Sequence, residues 1–185
     1  MPASRSAAAN ASKNQPVNAH PSILVGTANR TVWVRVEGKG TFLNSTGLKE
    51  FSKEMINRGH RDFVVDLQKC PLMDSTFMGT LAAIGLALRG LGQGELRAIN
   101  LNERNRDLLT NLGLDQLFTL GGPEERQTPA AAVPQTPLDD APADKLTQAK
   151  TMLEAHEACV VADGANAAKF KDVIEYLKQD LHVAR

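Results

Sequence analysis

Apolar and polar positions along the first two-thirds of the chain follow a period that keeps changing. Val32, Val34 and Val36 alternate with Trp33, Arg35 and Glu37. That period of two predicts a half-buried strand. Ile23 to Gly26 predicts a strand before it, with Ala28-Asn29-Arg30 as the turn. Leu48, Phe51 and Met55 fall at helical spacing, and Gly59 is placed to end that helix. Phe63 to Leu67 is a short apolar run, read as a buried strand. Phe77, Leu81, Ile84 and Leu88 mark a second helix, with Gly90 and Gly92 after it. Leu96 to Asn100 predicts another strand. Leu108, Leu109 and Leu112 mark a third helix closed by Gly113, and Leu117 to Leu120 an edge strand. The order β-β-α-β-α-β-α, with that short last strand, predicts an α/β fold. Its mixed sheet has four to five strands and three helices, with a hairpin leading into parallel, right-handed crossovers.

The remainder is organised differently. Five of the nine prolines lie between Gly121 and Pro142: Pro123, Pro129, Pro134, Pro137 and Pro142. Proline removes a backbone donor and disfavours helix at the residue before it, so 121–142 reads as an extended linker. Residues 1–21, rich in Ala, Ser, Asn and Pro without periodicity, read as a disordered arm. The domain of 22–120 is followed, after the linker, by a predicted helical hairpin over 143–185. One stripe is Leu146, Ala149, Leu153, His156 and Val160; the other is Phe170, Val173, Ile174, Leu177 and Leu181. Asp163-Gly164 is the turn between them. Two short amphipathic helices need a cover, which the core, a second copy or a partner would supply. A stiff linker favours self-association as a homodimer. On that view deletion of 123–185 leaves a folded, soluble, monomeric core.

Composition narrows the function classes. With 21 Lys and Arg against 21 Asp and Glu, the chain lacks the basic excess of a nucleic-acid or anionic-membrane binder. No apolar run approaches the roughly 20 residues that span a bilayer, and no secretory leader is visible, so a cytoplasmic location is expected. Aromatics make up 4%, so the core must be aliphatic. Cys70 and Cys159 form neither a disulfide framework nor a metal pattern. Gly90-Leu-Gly-Gln-Gly94 ends a helix, where a phosphate-binding loop would open one. No cofactor is implied.

The most informative stretch runs from Asp66 to Gly79. A buried strand ends, a loop follows, and Met73-Asp74-Ser75-Thr76 opens a helix. Asp, Ser and Thr are all good N-cap residues, so capping alone is the simpler reading of the periodicity. In its position within the element order, Met-Asp-Ser-Thr-x-x-Gly resembles the STAS domains of the anti-sigma factor antagonist family. There an Asp-Ser-Ser/Thr-Gly-Leu-Gly pattern stands at this point. The resemblance covers roughly Ser22 to Leu120, with further support from the strands at Val32–Glu37 and Phe63–Leu67 and from the Gly113-Leu114 pair. Two places depart from it. Phe77-Met78-Gly79 replaces Gly-Leu-Gly, and the loop Gly38 to Leu43 is not acidic.

The resemblance implies a non-enzymatic regulator acting through protein contacts. Ser75 would be the phosphorylation site, with Thr76 as alternative. Asp74, Ser75, Thr76, Phe77 and Met78 would form the partner surface. The implied partners are a serine kinase acting as anti-sigma factor and a protein serine phosphatase. Two other classes fit the same fold: an accessory STAS subunit of a membrane transport complex, and a small-ligand module holding a nucleotide at the 74–76 helix start. Other residues read as structural: Cys70 as a small buried residue, His60 as a cation at a helix end, His156 as a packed core histidine, Arg104 and Arg106 as a solvated helix start. No Ser, His and Asp set with local spacing appears.

Overall fold

The computed structural model describes residues 22–121, 133–138 and 143–183. The expected arm at 1–21 and much of the linker lie outside them. The chain opens with the antiparallel pair β1 (Ser22–Ala28) and β2 (Thr31–Glu37). Asn29 and Arg30 both take positive φ (50° and 71°), the geometry of a two-residue turn that matches strand twist. Then follow α1 (Phe42–Asn57), β3 (Asp62–Asp66), α2 (Ser75–Gly90), β4 (Glu95–Ile99) and α3 (Glu103–Asn111). A 3-10 turn at Leu114–Gln116 leads into β5 (Thr119–Leu120). The expected elements are all present, with α2 reaching to Gly90 and β5 shorter than Leu117–Leu120.

The sheet order is β5-β4-β3-β2-β1-β6, with β2, β3, β4 and β5 parallel. Each crossover steps one strand in the same direction. Such progression puts connecting helices on one face of a sheet. Val32, Val34, Phe63, Val65, Leu96 and Ala98 point to that face and are buried with Leu48, Leu81, Leu88 and Leu109. The opposite face buries Trp33, Val64 and Ile99, packed with Ala28 and Val133.

The sixth strand corrects the linker reading. Thr136–Pro137 forms β6 on the free edge of β1, and the Leu138 amide donates to the Ile23 carbonyl at 2.7 Å. Proline is tolerated there because an edge strand has a side that needs no donor.

The tail folds as α4 (Lys145–Ala162) and α5 (Asn166–Val183). The lean toward self-association meets a hairpin packed on its own core. α4 lies across the outer face of the helical layer, over α1, α2 and the 3-10 turn, making three layers. The buried face overlaps the expected one only in part: Ala149 and His156 are buried as expected, but Leu146 is exposed, Leu153 and Val160 are half-buried, and Thr151, Ala155, Ala158 and Cys159 are buried in their place. The physical reason is Gly79: a Cβ there would collide with the Ala155 backbone, so α4 sits against α2 through small residues. The stripe on α5 is as expected, half-buried with Leu177 innermost.

Candidate functional site at the start of α2

The site is the junction where β3 passes into α2. The Cys70 carbonyl in the connecting loop accepts from Asn105 Nδ2 at 2.8 Å and Asn102 Nδ2 at 3.2 Å, so the start of α3 holds the loop. The Cys70 thiol is buried, and that burial pushes its pKa up, as for an unreactive structural thiol. Gly40 and Met73 form a bridge, and the Asp74 amide donates to the Gly40 carbonyl at 2.9 Å.

Asp74 is the capping residue among the three candidates. One carboxylate oxygen accepts from the Phe77 amide, and the other accepts from the Phe42 amide, both at 2.8 Å. A single side chain therefore satisfies an orphan N–H on each of two helices, α1 and α2. Phe77 is wholly buried, with its ring against Gly40, where a Cβ would stand 2.6 Å from it. The two departures from the family pattern thus fit each other: the bulk at Phe77 occupies space left by the missing side chain at Gly40. Thr76 and Met78 are also buried, at 3% and 4% exposure. Three of the five residues expected at a partner surface are packed inside, and Asp74 is engaged by backbone amides.

Ser75 is half-buried at the first position of α2. Its Oγ lies 3.0 Å from Nε2 of His156, a residue 81 positions away on α4. His156 Nδ1 lies 2.7 Å from the Met152 carbonyl, which can only accept. Nδ1 therefore carries hydrogen, and in the neutral ring Nε2 accepts from the Ser75 hydroxyl. The ring of Phe170 packs edge-on against the imidazole, with centroids 5.0 Å apart. Around this contact, Thr46 and Thr151 hydroxyls meet at 3.2 Å, Lys49 pairs with Glu154, and Asn166 Nδ2 donates to the Leu112 and Cys159 carbonyls at 2.9 Å.

Local spacing could not reveal the Ser75–His156 pair, because it joins separate elements. One signal was available: α2 is apolar around most of its circumference, so a second layer had to cover it. His156 is buried as expected, but as a hydrogen-bond partner of the candidate site. His60 Nδ1 lies 3.0 Å from the Arg30 carbonyl, and Arg106 donates to the Gly121 carbonyl at 2.6 Å, so the latter is more than a solvated charge. Cavities among the described residues lie elsewhere. One of about 530 Å³ sits at the C-terminal end of α2 near Arg89 and Gln116. Another of about 330 Å³ lies between α1 and α2, lined by Lys49, Ser52, Ile56 and Ala83. Neither is lined by Ser75.

A hairpin, three parallel crossovers with all helices on one face, and an Asp-capped helix opened by serine define a STAS-type α/β domain. The sequence pattern of the STAS domain matches residues 22–127, and the chain belongs to that family. Among solved structures, it is similar to a Thermotoga maritima protein provisionally described as an anti-sigma factor antagonist. That match has 17% identity and a TM-score of 0.50, and covers 55% of this chain and 87% of the other. It is also similar to the anti-sigma factor antagonist SpoIIAA in its unphosphorylated form (18% identity, TM-score 0.49, 56% and 90% covered). An anti-sigma factor antagonist from Mycobacterium paratuberculosis matches at 21% identity and a TM-score of 0.49, covering 56% and 87%. No curated relative matches the sequence. Among the described residues, no helix is long and apolar enough to cross a membrane.

Proposed function

We propose that this protein is an anti-sigma factor antagonist-like regulator that works by exchanging protein partners and is switched by phosphorylation of Ser75. The observation that carries the reading is the placement of Ser75: a hydroxyl at the first turn of a helix, directly after the capping Asp74, at the β3–α2 junction of a STAS domain. A helix N-terminus presents unsatisfied N–H groups and about half a positive charge. A phosphate of about −1.5 to −2 is accommodated there without unfolding the domain. Its effect is then on what binds the surface. Thr76 is the poorer acceptor because it is buried. The partners of this reading are a serine kinase that doubles as anti-sigma factor and a protein serine phosphatase. The domain itself performs no catalysis.

Phosphopeptide mapping of the protein isolated from its native cell tests the reading. Phosphate is expected on the peptide carrying Ser75, and Ser75→Ala should abolish it. Unchanged modification of the Ser75→Ala protein would refute the assignment.

A further inference from the structure

The Ser75 face has an occupant, and that occupant belongs to the same chain. α4 crosses α1 and α2 with its small residues against Gly79, and His156 sits directly on the Ser75 hydroxyl. Taking Ser75 as the phosphorylated residue, we infer that the α4–α5 hairpin is a displaceable cover, and that docking of α4 and a phosphate on Ser75 exclude one another.

The exclusion is steric. A phosphoryl group would place a phosphorus and three oxygens where the imidazole now stands, 3.0 Å from Oγ. His156 cannot step aside within a docked α4. Its Nδ1 is held by the Met152 carbonyl, the Phe170 ring closes one side, and the residue is 3% exposed. Making room means moving the helix.

The same geometry works in reverse. A kinase must reach the Ser75 hydroxyl, which is hydrogen-bonded beneath α4, so only the open form is a substrate. Coupling between two events at one place is reciprocal: if phosphate disfavours the docked tail, the docked tail disfavours phosphate to the same degree. The docking is suited to being reversible. α4 packs through Thr151, Ala155, Ala158 and Cys159, with Ala155 against Gly79 of α2 and Thr151 against Thr46 of α1, and these residues bury little area each compared with Leu or Phe. Lifting α4 bares a strip of α1 and α2 centred on Gly79, shaped for a helix with a small-residue face, with Lys49 offering a cation that Glu154 now occupies. A partner that reads Ser75 competes with α4 for this strip.

Two native thiols report the opening. Cys159 lies on α4 with no exposure, and Cys70 lies in the domain core at 1%. The full chain is treated with a thiol-specific disulfide reagent, and labelling of each cysteine is followed by peptide mass mapping. In Ser75→Glu, Cys159 is expected to label about ten-fold faster than in wild type or more, with Cys70 unchanged. Ser75→Leu, which adds bulk without charge, should accelerate Cys159 in the same sense. Unchanged Cys159 labelling in both variants would overturn the cover, as would acceleration of both thiols together, which reports global unfolding. Slower labelling in Ser75→Glu would mean that the anion locks the tail and would also overturn it. So would wild-type labelling of Cys159 that slows with protein concentration, since the hairpin would then be exchanged between copies. None of these measurements uses a kinase. A chain without phosphate on Ser75 in its native cell would therefore remove the switch while leaving the displaceable cover standing or falling on the labelling alone.

Discussion

Asp74 shows how much one side chain can be asked to do. Its two oxygens cap α1 and α2 together, through the Phe42 and Phe77 amides. Losing a cap costs about 0.5–2 kcal/mol, so Asp74→Ala should destabilise the protein by roughly 1–3 kcal/mol in urea unfolding. Asp74→Asn keeps one acceptor oxygen and should lose less. An alanine variant as stable as wild type would mean that the caps are dispensable. Cys159 makes a second prediction at this scale. Burial pushes its thiol from the ordinary 9.0 up to about 11, so the folded state favours the protonated form. The folded chain then binds more protons than the unfolded one between those values, and stability falls as pH rises. The contribution is fully present below pH 9.0 and is lost as pH passes through about 11. The stability difference between wild type and Cys159→Ala should shift against wild type across that window. A difference that stays flat would show that the thiol ionises as readily in the folded chain as in the unfolded one.

At the scale of elements, the crossing of α2 and α4 is the decisive contact. Gly79 lies in the interior of α2, where replacement of Gly by Ala normally stabilises by about 0.5–1 kcal/mol. Here the added Cβ would meet the Ala155 carbonyl, a backbone atom that cannot rotate away. Gly79→Ala should therefore reverse the usual sign: the melting temperature falls and amide exchange across Lys145–Ala162 accelerates while β2 to β4 stay protected. A higher melting temperature with unchanged exchange would place α4 elsewhere. The edge strand β6 belongs to the same scale. Two of the residues in the proline-rich segment pair with β1, because the free edge of β1 offers unpaired backbone groups that an extended chain can use.

At the scale of the whole molecule, the tail is part of the fold's third layer. Ala158 and Cys159 belong to the same buried cluster as Leu81 and Phe77, and Asn166 is fully buried where it ties α5 to the end of α3. Deletion of 143–185 uncovers the outer face of α2 and should cost a few kcal/mol of apolar burial. For a chain of this length that lowers the melting temperature by roughly 10 °C and exposes an apolar patch. Calorimetry and dye binding on the truncated chain check this. A truncated chain that melts like the full one, without dye binding, would restore the view that core and tail are separate modules.

Element identity and order were written locally. Val32, Val34 and Val36 set a strand by period, Gly59 and Gly113 stop helices through positive φ, and Asp74 opens α2, all within a few residues of their effect. The family pattern at 74–79 was legible for the same reason. Tertiary structure decided what lies far apart in the chain: which face of α4 is buried, what the two departures at Gly40 and Phe77 do for each other, and that His156 meets Ser75. Leu146 and Leu153 carry the stronger hydrophobic signal on α4, but hydrophobicity measures the gain from leaving water and not how closely two backbones can approach. Gly79 allowed the close approach, so Ala155 took the contact, and with that helix rotation His156 came to rest on the serine.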